Sequence, residues 1–413
     1  MPKEDGMASM ERTSLERATA RMLGLDPAEI QFPPGWEPGL LTPRECFWRD
    51  HHDWLEGCGY KLRPRYHPDW VPSWTGTNKD FSEMPDGAMK TGPTLDAVRM
   101  RDQADVMLKL LRKSTHVREV NGEVEGKFVE LEIGLFFSSE PLVKDPRNHC
   151  VPILEVLEVP DDDDCIMIVM PLLRKFALPR FDTFGEAIDF FKQIFEGLKF
   201  MHDHNVAHRD CNGRNLMMDA SSMYPSGFHP MEPKKKRDFL GRAKFYNRTR
   251  RPPKYYLIDF GISRQYSTRS PPPLEPPIAG GDKSVPEFRD PKPCDPFPTD
   301  IYFLGNMIRR NFTEGSPFTR KLLGFEFMSP LVDMMVAEDP SQRPTIDEVI
   351  ARFAAIRDGL SSWKLRSRVI KEDDLVPGRG LKHWLRRIRY ILLRTPAIPR
   401  YRSKSGAIGV QIN

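Results

Sequence analysis

No run of about 20 apolar residues occurs in this 413-residue chain and its mean hydropathy is −0.51, so the sequence offers no helix for crossing a membrane. Cysteine is scarce: six, at 46, 58, 150, 165, 211 and 294, scattered without metal-ligand spacing. That speaks against structural zinc and against a disulfide-stapled fold, and favours free thiols in a reducing compartment. Residues 1–21 lack the apolar core of a secretion signal, so the expected location is intracellular, cytoplasmic or nuclear. Internal repeats are also missing. What the chain has in quantity is charge (29% of residues) and proline (39), and the charge is uneven. Residues 361–413 hold 13 Lys/Arg against 3 Asp/Glu, a net of +10, which leaves −6 for the rest of a chain whose total is +4.

The most informative stretch is His208-Arg209-Asp210-Cys211-Asn212-Gly213-Arg214-Asn215, followed later by Asp259-Phe260-Gly261. Before the first piece, Phe184, Ala187, Ile188, Phe191, Ile194, Phe195, Leu198 and Met201 recur at helical steps. Before the second, Tyr255-Tyr256-Leu257-Ile258 reads as a short apolar strand. A carboxylate, an amide and a second carboxylate in this order suit phosphoryl transfer, where the protein mainly positions ions and holds a nucleophile in line.

Together these pieces resemble a eukaryotic protein kinase, which implies an α+β, two-lobed fold with a small β-rich N-lobe and a larger helical C-lobe. The resemblance makes Asp210 the residue that orients the acceptor hydroxyl, and Asn215 and Asp259 the ligands of Mg²⁺ bound with ATP. His208 and Arg209 become scaffold, Arg209 being a docking point for a phosphorylated loop. Downstream, Val285-Pro286-Glu287, Asp300 to Gly305 and Asp339 to Thr345 stand in the family's order. By resemblance Glu287 and Arg343 form a buried ion pair. The long inserts are similar to divergent kinase-like proteins of basidiomycete fungi.

Upstream, two strands, Leu95–Met100 and Asp105–Leu111, bring forward Lys109 as the lysine for the α- and β-phosphates. Glu130 and Glu132 compete as its partner, and Glu132-Ile133-Gly134-Leu135-Phe136 fits the family pattern better. The resemblance makes Met170 the gatekeeper, Pro171, Leu172 and Leu173 the hinge, and Met217 the floor beneath adenine. A first strand is expected at 60–65. The aromatic stretch Phe47-Trp48, Trp54, Tyr60, Tyr66, Trp70 and Trp74 is expected to cover the N-lobe rather than to stack on nucleic acid, and no nucleic-acid partner is expected.

The departures carry weight. No Gly-x-Gly-x-x-Gly lies between 60 and 95, and glycines are what let backbone amides approach phosphates. Met107 stands where a small residue over adenine is usual. Asn212 replaces a lysine, and Arg214 is the candidate to supply that missing charge. The threonine usual several residues before the Pro-Glu motif is absent, with Gly280-Gly281-Asp282-Lys283-Ser284 standing there. Between Asn215 and Asp259 lie 43 residues with the basic run Lys234-Lys235-Lys236-Arg237, read as a polar surface excursion. Ser267, Thr268 and Ser270 are candidate phosphorylation sites in the activation segment. In the tail, Leu381, Trp384, Leu385, Ile388, Ile391 and Leu392 recur at helical spacing among Lys382, Arg386, Arg387, Arg389 and Arg394. Such a basic amphipathic helix docks on the acidic body, which is the plainest reading, or contacts a membrane periphery or a partner.

The expected organisation is an N-terminal extension, largely disordered, at 1–45, an N-lobe with its aromatic extension and hinge at 46–173, a C-lobe at 174–357 with an insertion at 220–253, and a basic tail at 358–413. The expected function is ATP-dependent, Mg²⁺-requiring transfer to Ser/Thr hydroxyls of a protein substrate. The competing class is a pseudokinase, a binding or scaffold module. A small-molecule kinase is the third, disfavoured by the Pro286-Glu287 and 339–345 motifs.

Overall fold

The computed structural model describes residues 37, 39–87, 92–113, 128–278, 280–290, 292–316, 319–372 and 379–401. Most of the 1–45 extension therefore lies outside the described residues. The chain divides into two compact units, residues 1–110 with 224–245, and residues 111–223 with 246–413.

The first unit opens with helices α1 (Pro43–Asp50) and α2 (His52–Gly57). Thr42 caps α1: its hydroxyl accepts from the Glu45 N–H, and the Glu45 carboxylate reaches back to the Thr42 N–H at 3.0 Å. Glu45 then pairs with Arg65 (2.7 Å), both fully buried, and the guanidinium lies 4.7 Å over the Trp70 ring. The Asp86 carboxylate accepts from Trp70 Nε1 (3.0 Å) and the Ser73 N–H (2.9 Å). The aromatic stretch is thus a folded layer organised round a buried ion pair. Strands β1 (Tyr60–Lys61), β2 (Thr94–Arg99) and β3 (Ala104–Arg112) form an antiparallel meander, with Leu95 opposite Leu108 and Thr94 opposite Lys109. The expected first strand at 60–65 stops at Lys61, because Pro64, which has no N–H to give a ladder, opens a 3₁₀ turn.

Residues 224–245, expected as a polar excursion, belong to this unit. Arg237 pairs with Asp105 on β3, Lys235 donates to the Ser82 carbonyl (3.4 Å) and sits 3.9 Å over Phe239, and Phe228, Met231 and Phe239 are buried. Two cations of the 234–237 run are therefore spent on contacts.

The second unit begins with α3 (Val129–Ser138) and the hairpin β4 (Glu155–Glu158) and β5 (Cys165–Pro171). β6 (Arg174–Lys175) follows, then α4 (Phe184–Asp203), capped by Thr183. α4 is buried nearly all round, with Phe184, Ile188, Phe190, Phe191, Phe195, Leu198 and Phe200 in the core and a polar stripe of Lys192, Glu196, Lys199 and Asp203 left toward solvent, so it forms the core of the unit. β7 (Val206–Ala207), β8 (Leu216–Asp219) and β9 (Lys254–Leu257) come next, and β6, β8 and β9 make an antiparallel sheet. β10 (Arg264–Gln265) pairs with β7.

Helix α5 (Pro296–Ile308) starts four residues earlier than the Asp300 motif suggests, because Asp295 caps it by accepting from the Phe297 N–H (3.0 Å). α6 (Ser329–Met335) packs on α5 and on α7 (Ile346–Gly359), and α7 packs on α4. The expected Glu287–Arg343 pair is present and bidentate, both contacts 2.7 Å, with Arg343 also donating to the carbonyls of Ala337 and Pro298. Past α8 (Ser362–Leu365), the tail helix α9 (Arg379–Leu392) docks on this unit through Arg386 to Asp182 (2.5 Å), Arg387 3.2 Å over Trp363, and the Tyr390 hydroxyl to Asn247 (3.1 Å). Intramolecular docking is thus what α9 does.

Candidate active site

The loop from β7 to β8 carries Asp210, and a buried carboxylate shapes it. Asp300, fully buried on α5, accepts from the backbone N–H of His208 (2.8 Å) and of Arg209 (2.7 Å). Those two bonds hold the chain as Arg209 turns through the left-handed region (φ 65°), which a side chain seldom adopts without such support. The next residue, Asp210, thereby projects from a braced corner.

Three donors converge on the Asp210 carboxylate. Asn212 Nδ2 reaches Oδ1 at 2.6 Å, the Gly281 N–H reaches the same oxygen at 2.9 Å, and Asn215 Nδ2 reaches Oδ2 at 2.9 Å. An ionised carboxylate has about four acceptor sites. Among the described residues three are filled, and the one left is on Oδ2. Burial raises the Asp210 pKa above the ordinary carboxylate value, and these donors pull against that rise.

Asn215 spends its amide N–H₂ on Asp210, both carboxylate and main-chain oxygen (2.9 Å each), which leaves Oδ1 as the atom able to meet a cation. Its own carbonyl accepts from the Ile258 N–H (3.0 Å), tying the loop to the strand that leads into Asp259. Asp259 is held at φ 67°, and Phe260 after it is buried between Phe137 of α3 (6.4 Å between ring centres) and His208 (5.6 Å). Burial lowers the His208 pKa against the pull of Asp300, Asp210 and Asp259, so three carboxylates gather round one neutral ring.

The remaining sequence candidates divide between the units. Lys109 and Met107 share one half-buried face of β3 in the first unit, with Val106 and Leu108 buried on the other. In the second unit Met170 is buried at the end of β5, and Pro171 and Leu173 are half-buried. Met217 lies opposite Lys175, two residues beyond Leu173, so hinge and floor stand on neighbouring strands. On α3 it is Glu130, not Glu132, that is buried, and its Oε2 would stand 3.7 Å from a Cβ built on Gly261. Arg214 is exposed; its N–H donates to Asn212 (2.8 Å), and its guanidinium is near enough to Lys175 to help burial lower that amine's pKa. Its side chain is not among the groups bonded to Asp210.

Two parts were not singled out from sequence for this role, Asp300 as the brace and Gly281 as a donor, while Glu130 was the less favoured of two candidates on α3. Gly281 had a sign, since residues 280–284 stand where the family has a threonine, and the helical period marks Glu130.

A family model of the protein kinase domain matches residues 146–353. The chain is 25% identical over 258 residues to mitogen-activated protein kinase kinase kinase 1a of Physcomitrium patens, covering 57% of this chain and 29% of that one. To serine/threonine-protein kinase CAK1 of Saccharomyces cerevisiae it is 22% identical over 221 residues, 47% of this chain and 52% of the relative. The chain thus spans between about a quarter and a half of the length of these curated relatives. With the Asp210 loop, the Phe260 packing and the Glu287–Arg343 pair already in place, the match settles the kinship: this chain belongs to the protein kinase domain family, with its α+β fold.

Proposed function

We propose that this chain is an active protein kinase that transfers the γ-phosphate of ATP, with Mg²⁺, to Ser/Thr hydroxyls of protein substrates. The observation that carries the reading is the Asp210 carboxylate, held by three donors with a single acceptor site to spare. That site suits the proton of an acceptor hydroxyl. A pseudokinase has no need to keep such a carboxylate so placed.

The donor set fits a hard cation: a carboxylate at Asp259 and an amide oxygen at Asn215, with neither thiolate nor imidazole offered. Bound Mg²⁺-ATP would supply the transferable group and charge neutralisation on its phosphates. Asp210 orients the hydroxyl and receives its proton at Oδ2; Asn212 and Gly281 fix the other oxygen so that the carboxylate cannot rotate. Lys109 is proposed for the α- and β-phosphates. The buried position of Glu130 beside Gly261 moves the acidic role proposed on α3 from Glu132 to this residue. Met170, Pro171, Leu173 and Met217 are proposed to line the adenine site. Because Arg214 neighbours Lys175, the proposed cationic help toward phosphate comes from both residues together.

Radiolabel transfer from ATP to a peptide library tests this, with Asp210→Asn as control. The reading expects transfer by the native chain and a loss of at least about 10²-fold in the variant. Equal incorporation by both, or none by either alongside a thermal shift with Mg²⁺-ATP, would favour the scaffold.

A further inference from the structure

The activation segment holds a buried acidic residue that the proposed chemistry does not use. Glu275 is 7% exposed, and its carboxylate is ion-paired with Arg264. Its backbone is fixed as well, by reciprocal bonds with Cys294 (3.0 and 2.9 Å). One residue on, the Pro276 carbonyl accepts from Arg209 Nη2 (3.1 Å), and Arg209, Glu275, Pro276 and Cys294 line one small cavity. Both arginines belong to the catalytic corner. Arg264 lies on β10 opposite Ala207, the residue before His208, and Arg209 directly precedes Asp210. Six residues beyond Glu275, the Gly281 N–H sits on the Asp210 carboxylate.

A phosphate on a loop acts by forming charge-assisted bonds to arginines and so ordering the segment. Here both arginines already have partners supplied by the chain, while the hydroxyls of Ser267, Thr268 and Ser270 are exposed on the turn after β10. We propose that Glu275 is a positioning residue that takes the part of an activation-segment phosphate: anchored to Arg264 beside Arg209, it holds the 275–287 stretch in register on Asp210, so that transfer does not require phosphorylation of the segment. The proposal rests on the kinase reading above.

The test uses the full chain, treated with a broad phosphatase and checked by intact mass. Transfer to the peptide library is expected to stay within about twofold. Glu275→Gln removes one charge-assisted bond, and kcat is expected to fall at least about tenfold with little change in KM for ATP; Glu275→Asp restores part of it. Amide hydrogen exchange in peptides covering Gly281 and Cys294 should accelerate in Glu275→Gln, a readout that needs no turnover. Loss of activity on phosphatase treatment, or unchanged exchange in Glu275→Gln, overturns the proposal. Accelerated exchange in a chain that never transfers phosphate upholds the anchor and removes the kinase reading instead.

A separate observation concerns α9, which docks by its polar side and leaves its apolar side in water. Trp384 (52% exposed), Leu385 (55%) and Leu392 (76%) face out, with Leu393 and Trp363 beside them. Surface helices ordinarily turn that stripe inward. From this we infer that the exposed stripe seats on an anionic lipid surface. The occupant is argued from charge, since residues 361–413 hold +10 and Arg389, Arg394 and Arg400 are exposed in the same stretch as two exposed tryptophans, residues suited to the headgroup level.

Co-sedimentation of the full chain with phosphatidylcholine vesicles, with and without phosphatidylserine, tests it. Binding is expected only with phosphatidylserine, weakened by salt, and reduced at least about tenfold in Leu385→Asp/Leu392→Asp, as two lost apolar insertions imply. No binding, or equal binding by the variant, overturns it. So does a native dimer in sedimentation equilibrium that the variant abolishes, which would assign the stripe to a second copy.

Discussion

Replacing Gly280 with alanine tests the geometry of the proposed catalytic centre most directly. A Cβ at that position would fall onto Asp210 Oδ1 and lie 2.6 Å from its Cγ, where ordinary contacts begin at 3.4 Å. Neither partner is the loose end of a long side chain. Asp210 is held by Asn212, Asn215 and Gly281 on a corner pinned by Asp300. Most of an ångström must therefore come from moving the carboxylate or lifting the segment. A displacement of that size at an in-line transfer costs about 10²-fold in rate. The expected outcome for Gly280→Ala is a kcat lower by about 10²-fold with KM for ATP nearly unchanged, since nothing on the adenine side is touched. Gly57→Ala, at the end of α2 with nothing within 4 Å of the added carbon, serves as the inert control. Steady-state kinetics on one peptide substrate suffice. Native turnover by Gly280→Ala would show that the segment does not lie on Asp210 in the working enzyme; faster turnover would show that it lies there as a block.

Other outcomes follow from the same contacts. Arg343→Met leaves Glu287 buried without its bidentate partner, which costs on the order of 3 kcal/mol and should lower the thermal midpoint by several degrees. Burial raises the Glu287 pKa, but the Arg343 and Thr299 bonds outweigh it and the net shift is downward from 4.5. That stabilisation is present above pH 4.5 and is lost as pH falls through the lower folded value. Asn212→Ala removes a donor to the ionised form of Asp210, so the acid limb of kcat should move to higher pH; an unmoved limb would detach Asp210 from that limb. Asp259→Asn should abolish the thermal shift given by Mg²⁺-ATP while leaving the ligand-free midpoint within a few degrees. His149 is buried with its Nδ1 2.7 Å from the Tyr255 carbonyl, and burial pushes its pKa down to about 3. The unfolded chain binds that proton from about pH 6.5 downward, so stability on the order of 4 kcal/mol is lost between pH 6.5 and 3. In urea titrations His149→Gln should show a flatter fall with acid.

What could be read from sequence was local. His208 to Asn215 fold into a corner within eight residues, so their order already tells which groups share a mouth. The strand before Asp259 and the helix before His208 announce themselves by period and need little from the rest of the chain. Phase errors enter where a motif is matched by letters. Glu132 fits the family string, yet Glu130, Ile133, Gly134 and Phe137 share the buried face of α3, and the 3.6-residue period would have put Glu130 there. Partners brought from afar left no trace in the sequence unless a family motif named both, as for Glu287 and Arg343. Glu45 and Arg65 are 20 residues apart across a turn-rich stretch, and Arg237 finds Asp105 from an insertion whose few apolar residues follow no regular spacing.

The departures from the family pattern are of this second kind, and the structure gives them a common physical meaning. Where a threonine hydroxyl was expected, a glycine pair lets the backbone itself come close enough to donate to Asp210, which a side chain at Gly280 would forbid. Where Asp210 was expected to have a lysine neighbour, Asn212 donates from two residues away. The first exchanges a side-chain group for the backbone N–H itself, and the second a long, mobile donor for a short one. A short donor works only if the backbone carrying it is already immobile. That is why Asp300 below the loop and Glu275 along the segment matter as much to the site as the residues that would touch the nucleotide.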